Sequence, residues 1–174
     1  MNGKERIISL LKKEKVDQVP WVPFAGVHAG KLKGYSAREI LQDKEKLVES
    51  LLEVKKIYQP DGMPVVFDLQ IEAEILGCEL LWAENNPPSV KSHPLAKTKE
   101  IPSQIPSKDE GRLPMILGAM KEVKEKVGDD TALYGLFTGP LTLASHLRGQ
   151  SFFMDMAMDP EYCENLLKYS TQIA

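Results

Sequence analysis

Apolar residues recur along this chain in two rhythms, short continuous runs and stripes spaced three or four apart, and their alternation predicts an α/β architecture. Residues 3–15 place Ile7, Ile8 and Leu11 on one face of a predicted helix, with Lys and Glu opposite. Val19-Pro20-Trp21-Val22-Pro23-Phe24 reads as a very short or edge-like strand, because Pro23 removes a ladder donor from within it. A loop bearing glycine and histidine covers residues 25–35. Ser36 and Glu39 form a capping box for a short helix. Asp43 then caps a longer one, whose buried stripe is Leu47, Val48, Leu51, Leu52 and Tyr58.

The clearest strand is Met63-Pro64-Val65-Val66-Phe67, which follows the turn Pro60-Asp61-Gly62. A continuous apolar run suits a parallel strand covered on both faces. Residues 71–76 predict a helix stopped by Gly77. Residues 83–109, rich in Pro, Ser and Asn, form a long polar excursion with room for short strands, and such excursions are often functional. Residues 112–127 space Leu113, Ile116, Leu117, Met120, Val123 and Val127 as a helix ended by Gly128-Asp129-Asp130. Residues 132–137 make the third strand, and Pro140 suits the first position of a helix over 141–147. Asp159-Pro160 opens the last helix, with Tyr162, Leu166, Leu167 and Ile173 on its buried side.

Composition narrows the class. With 174 residues, 43% of them hydrophobic, one core and one domain over 1–174 are the expectation. The 22 basic and 25 acidic residues give −3 in short alternating patches, without the basic stripe of a nucleic-acid binder. No apolar stretch approaches the roughly 18 residues of a membrane helix, and no signal-peptide pattern opens the chain. Cys78 and Cys163 cannot build a disulfide framework, so a cytoplasmic location is expected. The length falls short of the about 250 residues of a complete (β/α)8 barrel. Ala174 also lies inside a predicted helix with no Gly, Asn or Pro stop beside it.

Ligands of parallel α/β folds bind at the carboxyl ends of the strands. That rule selects the His28 loop, Asp68 and the segment Thr138–His146, and expects them to converge. Asp68 either accepts hydrogen bonds from a substrate or caps the following helix. His146 and His28 are either substrate-binding or plain filler residues, and His93 reads as a loop residue. Glu72 and Glu74 diverge by about 200° on a helix, so they cannot share one site, and the plain reading is two solvated glutamates. No Cys-x-x-Cys or His-x-x-x-His spacing occurs, so no metal ligand is assigned. The two cysteines read as packing residues. No Gly-rich phosphate loop is present, and the helix start after Gly139 is only a weak anion signal.

The order of segments resembles the superfamily of uroporphyrinogen decarboxylase and its cobamide-dependent methyltransferase relatives. Four stretches carry the likeness: Lys4-Glu5-Arg6 with Val19 to Pro23; Val66-Phe67-Asp68-Leu69 with Glu72-Ala73-Glu74 and Leu76-Gly77-Cys78; Thr138-Gly139-Pro140 through His146; and Phe153-Met154 with Asp159-Pro160-Glu161. The second is similar to the methyltransferase branch in particular. The resemblance implies a (β/α)8 TIM-barrel fold with its site at the C-terminal face, of which residues 1–174 are the N-terminal half. In the decarboxylases the aspartate matching Asp68 holds pyrrole N–H groups and stabilises charge on the reacting ring, and a tyrosine aligns with His146. Their arginine-rich loop is missing here, since Phe24 to Gly30 contains no arginine.

The methyltransferase branch fits better. It moves a methyl group between a corrinoid and a thiol, with zinc stabilising the thiolate. Its zinc ligands, a His-x-Cys pair and a distant Cys, fall in the second half of the barrel and match nothing here. The resemblance therefore implies corrinoid-dependent methyl transfer to a thiol or similar acceptor, with Asp68 catalytic and Asp68, His146 and His28 binding substrate. This segment alone holds no cofactor; zinc, a corrinoid methyl donor and a corrinoid protein partner belong to the full-length reading. The alternatives are uroporphyrinogen decarboxylation in porphyrin biosynthesis, and a non-catalytic fragment or tetrapyrrole- or corrinoid-binding module. Half a barrel leaves open strand edges, so a homo-oligomer or a missing C-terminal half is expected, with no nucleic acid and no membrane among the partners.

Overall fold

The computed structural model describes all 174 residues. In chain order its elements are α1 (Gly3–Leu11), α2 (His28–Lys31), α3 (Ala37–Gln42), α4 (Lys44–Tyr58), β1 (Gly62–Val66), α5 (Ile71–Ile75), β2 (Leu80–Leu81), β3 (Ser89–Val90), α6 (Leu113–Val127), β4 (Ala132–Gly135), α7 (Pro140–Arg148), α8 (Ser151–Met158) and α9 (Pro160–Ile173). They group into two compact units, one of residues 1–67, 83–87 and 115–136, the other of 68–82, 88–114 and 137–174. No helix is long and apolar enough to cross a membrane.

The first unit is built on β1 and β4, which pair in parallel with Gly62 opposite Ala132 and Met63 opposite Leu133. All five residues of β1 are buried, as a strand covered on both faces requires. Pro64 lacks the N–H that a regular ladder needs, and the register shifts between Pro64 and Val66, the kind of bulge that tolerates a proline. Helices α2, α3 and α4 pack on one another. The Ser36–Glu39 capping box and the Asp43 cap form as the sequence predicts. Leu47, Val48 and Leu51 are buried, as is Val54, whereas Leu52 and Tyr58 are only half-buried.

Three expectations change in this unit. Residues 19–24 form no strand. Pro20 and Pro23 have no N–H to give, and the amide of Trp21 donates instead to Asp61 Oδ2 at 2.7 Å. The amide of Asp61 returns a bond to the Trp21 carbonyl at 2.9 Å. Helix α1 stops at Leu11, followed by Lys13 at φ 61°, and its apolar stripe is not core: Leu11 is 79% exposed. The buried side chain of α1 is Arg6, which pairs with Asp61 Oδ1 and grips Asp17 through Nε and Nη2 at 2.6 and 2.9 Å. The loop over 25–35 contains the single turn α2, which Gly26 opens at φ +52°.

The second unit is helical, with β2 and β3 as a short antiparallel pair. Its core joins Phe152, Leu143, Leu147, Leu166 and Cys163 with Leu95 from the polar excursion. That excursion is therefore packed rather than solvated at Leu95. Arg148 is the reason: buried, it pairs through Nε with Asp155 Oδ2 at 2.6 Å, and its Nη1 donates to the Leu95 carbonyl at 2.5 Å and the Ala96 carbonyl at 3.2 Å. Lys99 reinforces the join with ion pairs to Asp155 (3.2 Å) and Asp159 (2.7 Å).

These pairs set an acid limit. Arg6 holds Asp17, Arg148 holds Asp155, and Lys99 holds Asp159 below the ordinary carboxylate value of 3.8. Stability drawn from a depressed carboxylate is complete above its unfolded value and is lost as pH falls through its folded one. Thermal unfolding followed by circular dichroism should fall steeply below about pH 4, and Arg148→Gln should make that fall shallower. A flat profile to pH 3 would show that the pairs contribute nothing.

Candidate functional site

Asp68 stands one residue beyond Phe67 at the carboxyl end of the β1 segment, with its side chain fully enclosed. Its Oδ1 accepts the Gln70 amide at 3.0 Å, closing the turn that leads into α5. Turned with its nitrogen inward, the Gln70 side chain also donates to Asp68 Oδ1 (3.0 Å) and to the Pro88 carbonyl (3.2 Å). Oδ2 forms an ion pair with Arg112 Nη1 at 2.7 Å. The same guanidinium holds Glu74 Oε2 through Nε at 2.7 Å, and lies 5.0 Å from the ring centre of Trp82. Asp68 is not the cap of α5, whose N-cap is Gln70 without a side-chain cap bond; it closes the turn one step earlier, and its other oxygen meets an arginine.

Arg112 reaches this position because Gly111 precedes it. Gly111 sits at φ +55°, and a Cβ there would come within 2.6 Å of Ile75 Cγ1, so only glycine lets the chain turn so close to α5. Sequence reasoning took Arg112 for the first residue of a helix and missed its role. One signal was present: a cation at a helix N-terminus opposes the macrodipole and needs an anion elsewhere to hold it. Glu72 and Glu74 diverge as their spacing requires, but neither is simply solvated. Glu74 meets Arg112, while Glu72 Oε2 lies 3.1 Å from Thr138 Oγ1, whose hydroxyl donates to the Leu69 carbonyl.

His146 lies half-buried on α7. Its carbonyl accepts from His93 Nδ1 at 2.6 Å and from the Cys78 thiol at 3.5 Å. A carbonyl can only accept, so neutral His93 carries its proton on Nδ1. His93 is therefore a clasp between the excursion and α7, and Gly149 at φ +70° makes room for it: a Cβ there would lie 2.8 Å from His93 Cδ2. Burial, aided by the neighbouring His93, pushes the His146 imidazole below its ordinary 6.5. Burial pushes the Cys78 thiol up to about 11, so it is not a thiolate at neutral pH. The hydrogen-bond partners of Asp68 and His146 are separate sets. His28 belongs to the first unit, where its exposed Nε2 lies 2.9 Å from the Tyr58 hydroxyl.

The sequence profile of the uroporphyrinogen decarboxylase (URO-D) family matches residues 2–174. The chain belongs to the uroporphyrinogen decarboxylase family. Among URO-D relatives it is 31% identical over 172 residues to the methylcobamide:CoM methyltransferase MtbA of Methanosarcina acetivorans, covering 95% of this chain and 50% of that protein. It is 27% identical over 179 residues to MtaA of Methanosarcina barkeri, covering 98% and 52%. It is 26% identical over 142 residues to a uroporphyrinogen decarboxylase of Wolbachia sp. subsp. Brugia malayi, covering 79% and 40%. A solved methyltransferase from Methanosarcina mazei superposes with a TM-score of 0.89 at 29% identity, covering 99% of this chain and 53% of that one. This chain therefore spans about half the length of the curated URO-D relatives it matches. Its fold is of the TIM-barrel type with a partial sheet.

The donor set does not suit zinc in this half of a URO-D barrel. No group of three or more His, Cys, Asp or Glu side chains is placed to hold a metal ion, and both thiols are buried in the core of the second unit.

Two outcomes follow from the geometry. Arg112→Met leaves the enclosed Asp68 without its cation and should cost about 3–5 kcal/mol in urea unfolding, most of it recovered in the double variant Asp68→Asn/Arg112→Met. Equal losses in both would mean that the arginine acts through Glu74, Trp82 or its other contacts and not through Asp68. For His146, the unfolded chain takes up a proton before the folded one does, so stability should decline as pH drops from about 6.5 to 5. His146→Gln should flatten that part of the profile, and an unchanged slope would assign it to another group.

Proposed function

We propose that the chain supplies the first half of the barrel of a corrinoid-dependent methyltransferase, in which a methyl group passes from a corrinoid to a thiol or similar acceptor. The observation that carries this reading over decarboxylation is the Asp68–Arg112 pair. A carboxylate that must collect pyrrole N–H groups needs free lone pairs facing its substrate. Here one oxygen lies 2.7 Å from a guanidinium nitrogen in an ion pair and the other accepts the Gln70 amide, so neutral N–H donors would have to displace a cation. Support also comes from the methylcobamide:CoM methyltransferases among its relatives, which match this chain almost end to end over about half of their own length.

In this reading Asp68 is the catalytic carboxylate at the end of the β1 segment, oriented by its ion pair with Arg112. His146, kept neutral at pH 7 by burial, is a substrate-binding residue of the second unit. His28 is a substrate-binding residue of the first. The corrinoid enters as methyl donor, free or on a protein partner. Activation of the thiol is not assigned to these residues, which belong to no cluster of three or more metal-ligating side chains.

The reading is tested by following the absorbance of methylcobalamin with 2-mercaptoethanesulfonate as acceptor. The chain is assayed alone and with the part of the Methanosarcina mazei methyltransferase that it does not cover. Turnover is expected only in the mixture, and Asp68→Asn should lower it at least about tenfold, or about 1.4 kcal/mol of barrier. Conversion of uroporphyrinogen to a less carboxylated product, with methylcobalamin untouched, would overturn the reading in favour of a decarboxylase.

A further inference from the structure

Methionine is concentrated on α8. Of the seven methionines in the chain, Met154, Met156 and Met158 fall within its eight residues. They are 68%, 49% and 80% exposed, whereas Met63 is fully buried in β1 and Met115 and Met120 are half-buried on α6. Both cysteines are buried, so the exposed sulfur of the second unit is all thioether. A thioether that takes up one oxygen becomes a polar sulfoxide, which an apolar contact does not tolerate.

The three sulfurs do not share one face. Phe152 and Asp155 are the buried residues of α8 and lie about 60° apart around its axis. Met156 lies about 40° from Phe152, at the border of that buried side. Met154 and Met158, one turn apart, stand about 160° and 120° from Phe152, on the far side. Two turns of helix have little stability of their own, so α8 is held by its buried side. There Phe152 enters the core, and Asp155 pairs with Arg148 at 2.6 Å and Lys99 at 3.2 Å. Arg148 in turn gathers the Leu95 and Ala96 carbonyls, while the Leu95 amide donates to the Leu147 carbonyl of α7 at 2.9 Å. A sulfoxide at Met156 would set a polar group against the Phe152 side. Its burial without a partner is unfavourable and is relieved when α8 moves outward and takes Asp155 from Arg148.

We infer that α8 is a graded methionine-oxidation site: Met154 and Met158 consume hydroperoxide without structural consequence, and oxidation of Met156 loosens the excursion from α7. In each event the thioether sulfur attacks a peroxide oxygen, the O–O bond breaks, and water or an alcohol leaves. Sulfur gives up two electrons and the hydroperoxide takes them. A methionine sulfoxide reductase supplied with a dithiol reverses the step, the sulfoxide oxygen leaving as water while the two thiols become a disulfide. The inference stands apart from the functional reading above, since no methyl transfer enters it.

The test treats the chain with graded hydrogen peroxide, maps oxidation by peptide mass spectrometry and follows amide exchange at Leu95. Met154 and Met158 should oxidise at least about tenfold faster than Met63, with Met156 between them. Exchange at Leu95 should stay unchanged while only the outer pair carries oxygen, and rise at least about tenfold when Met156 does. Treatment with the reductase and dithiothreitol should restore it. Leucine conserves the volume of methionine, so the variants keep the fold. Met156→Leu should abolish the rise while Met154 and Met158 still oxidise, and Met154→Leu/Met158→Leu should retain it. An oxidised Met156 with Leu95 still protected would overturn the inference. So would a rise that persists in Met156→Leu, or a Met63 that oxidises as fast as the methionines of α8.

Discussion

A strand buried on both faces can carry charge only at its ends, and each charge there must be met by another. β1 has a carboxylate on either side of it, Asp61 just before and Asp68 just after, and both are buried. Each is answered by an arginine far along the chain, Arg6 for Asp61 and Arg112 for Asp68. Removing either cation would strand an anion in a region where desolvation is costly. Much else follows from satisfying these two groups. Asp61 takes over the backbone of residues 19–24, which cannot form a ladder of their own, and Asp68 closes the turn that launches α5.

What could be read in advance was local. The Ser36–Glu39 capping box, the Asp43 and Asp159 caps, Pro140 at a helix start and the buried run of β1 all depend on residues within a few positions of one another, and each is present. The likeness to the URO-D family was legible as well, because it lies in the order of such segments. What escaped depends on distance. Nothing in the spacing of residues 68 and 112 announces an ion pair, and nothing near Arg148 announces that it will gather the carbonyls of Leu95, Ala96 and Thr98. The stripe of α1 was read correctly as amphipathic, but a stripe does not say whether the chain itself supplies its cover. Of the candidate residues, Asp68 could be found from its place after a strand; its partners could not.

Charge in this protein organises loops more than surfaces. Arg148 and Lys99 draw a polar segment onto three helices, and Arg112 draws the approach to α6 onto the turn after β1. In both places a cation gathers several acceptors at once, backbone carbonyls at Arg148 and side-chain carboxylates at Arg112. This explains how a stretch rich in Pro, Ser and Asn is pinned, with Leu95 in the core beside Leu143 and Leu147 and His93 as a second tether to α7.

The two thiols have a use that follows from their burial. Cys78 donates to the His146 carbonyl and Cys163 to the Phe152 carbonyl, and burial raises both, so neither reacts as a thiolate while the second unit is closed. They sit on opposite sides of the excursion in sequence, Cys78 just past α5 and Cys163 on α9. Their rates of alkylation are thus internal clocks for the opening of that unit. If the two clocks run together the unit opens as one body; if Cys78 runs ahead, the clasp formed by His93 and Gly149 gives way before the helices do.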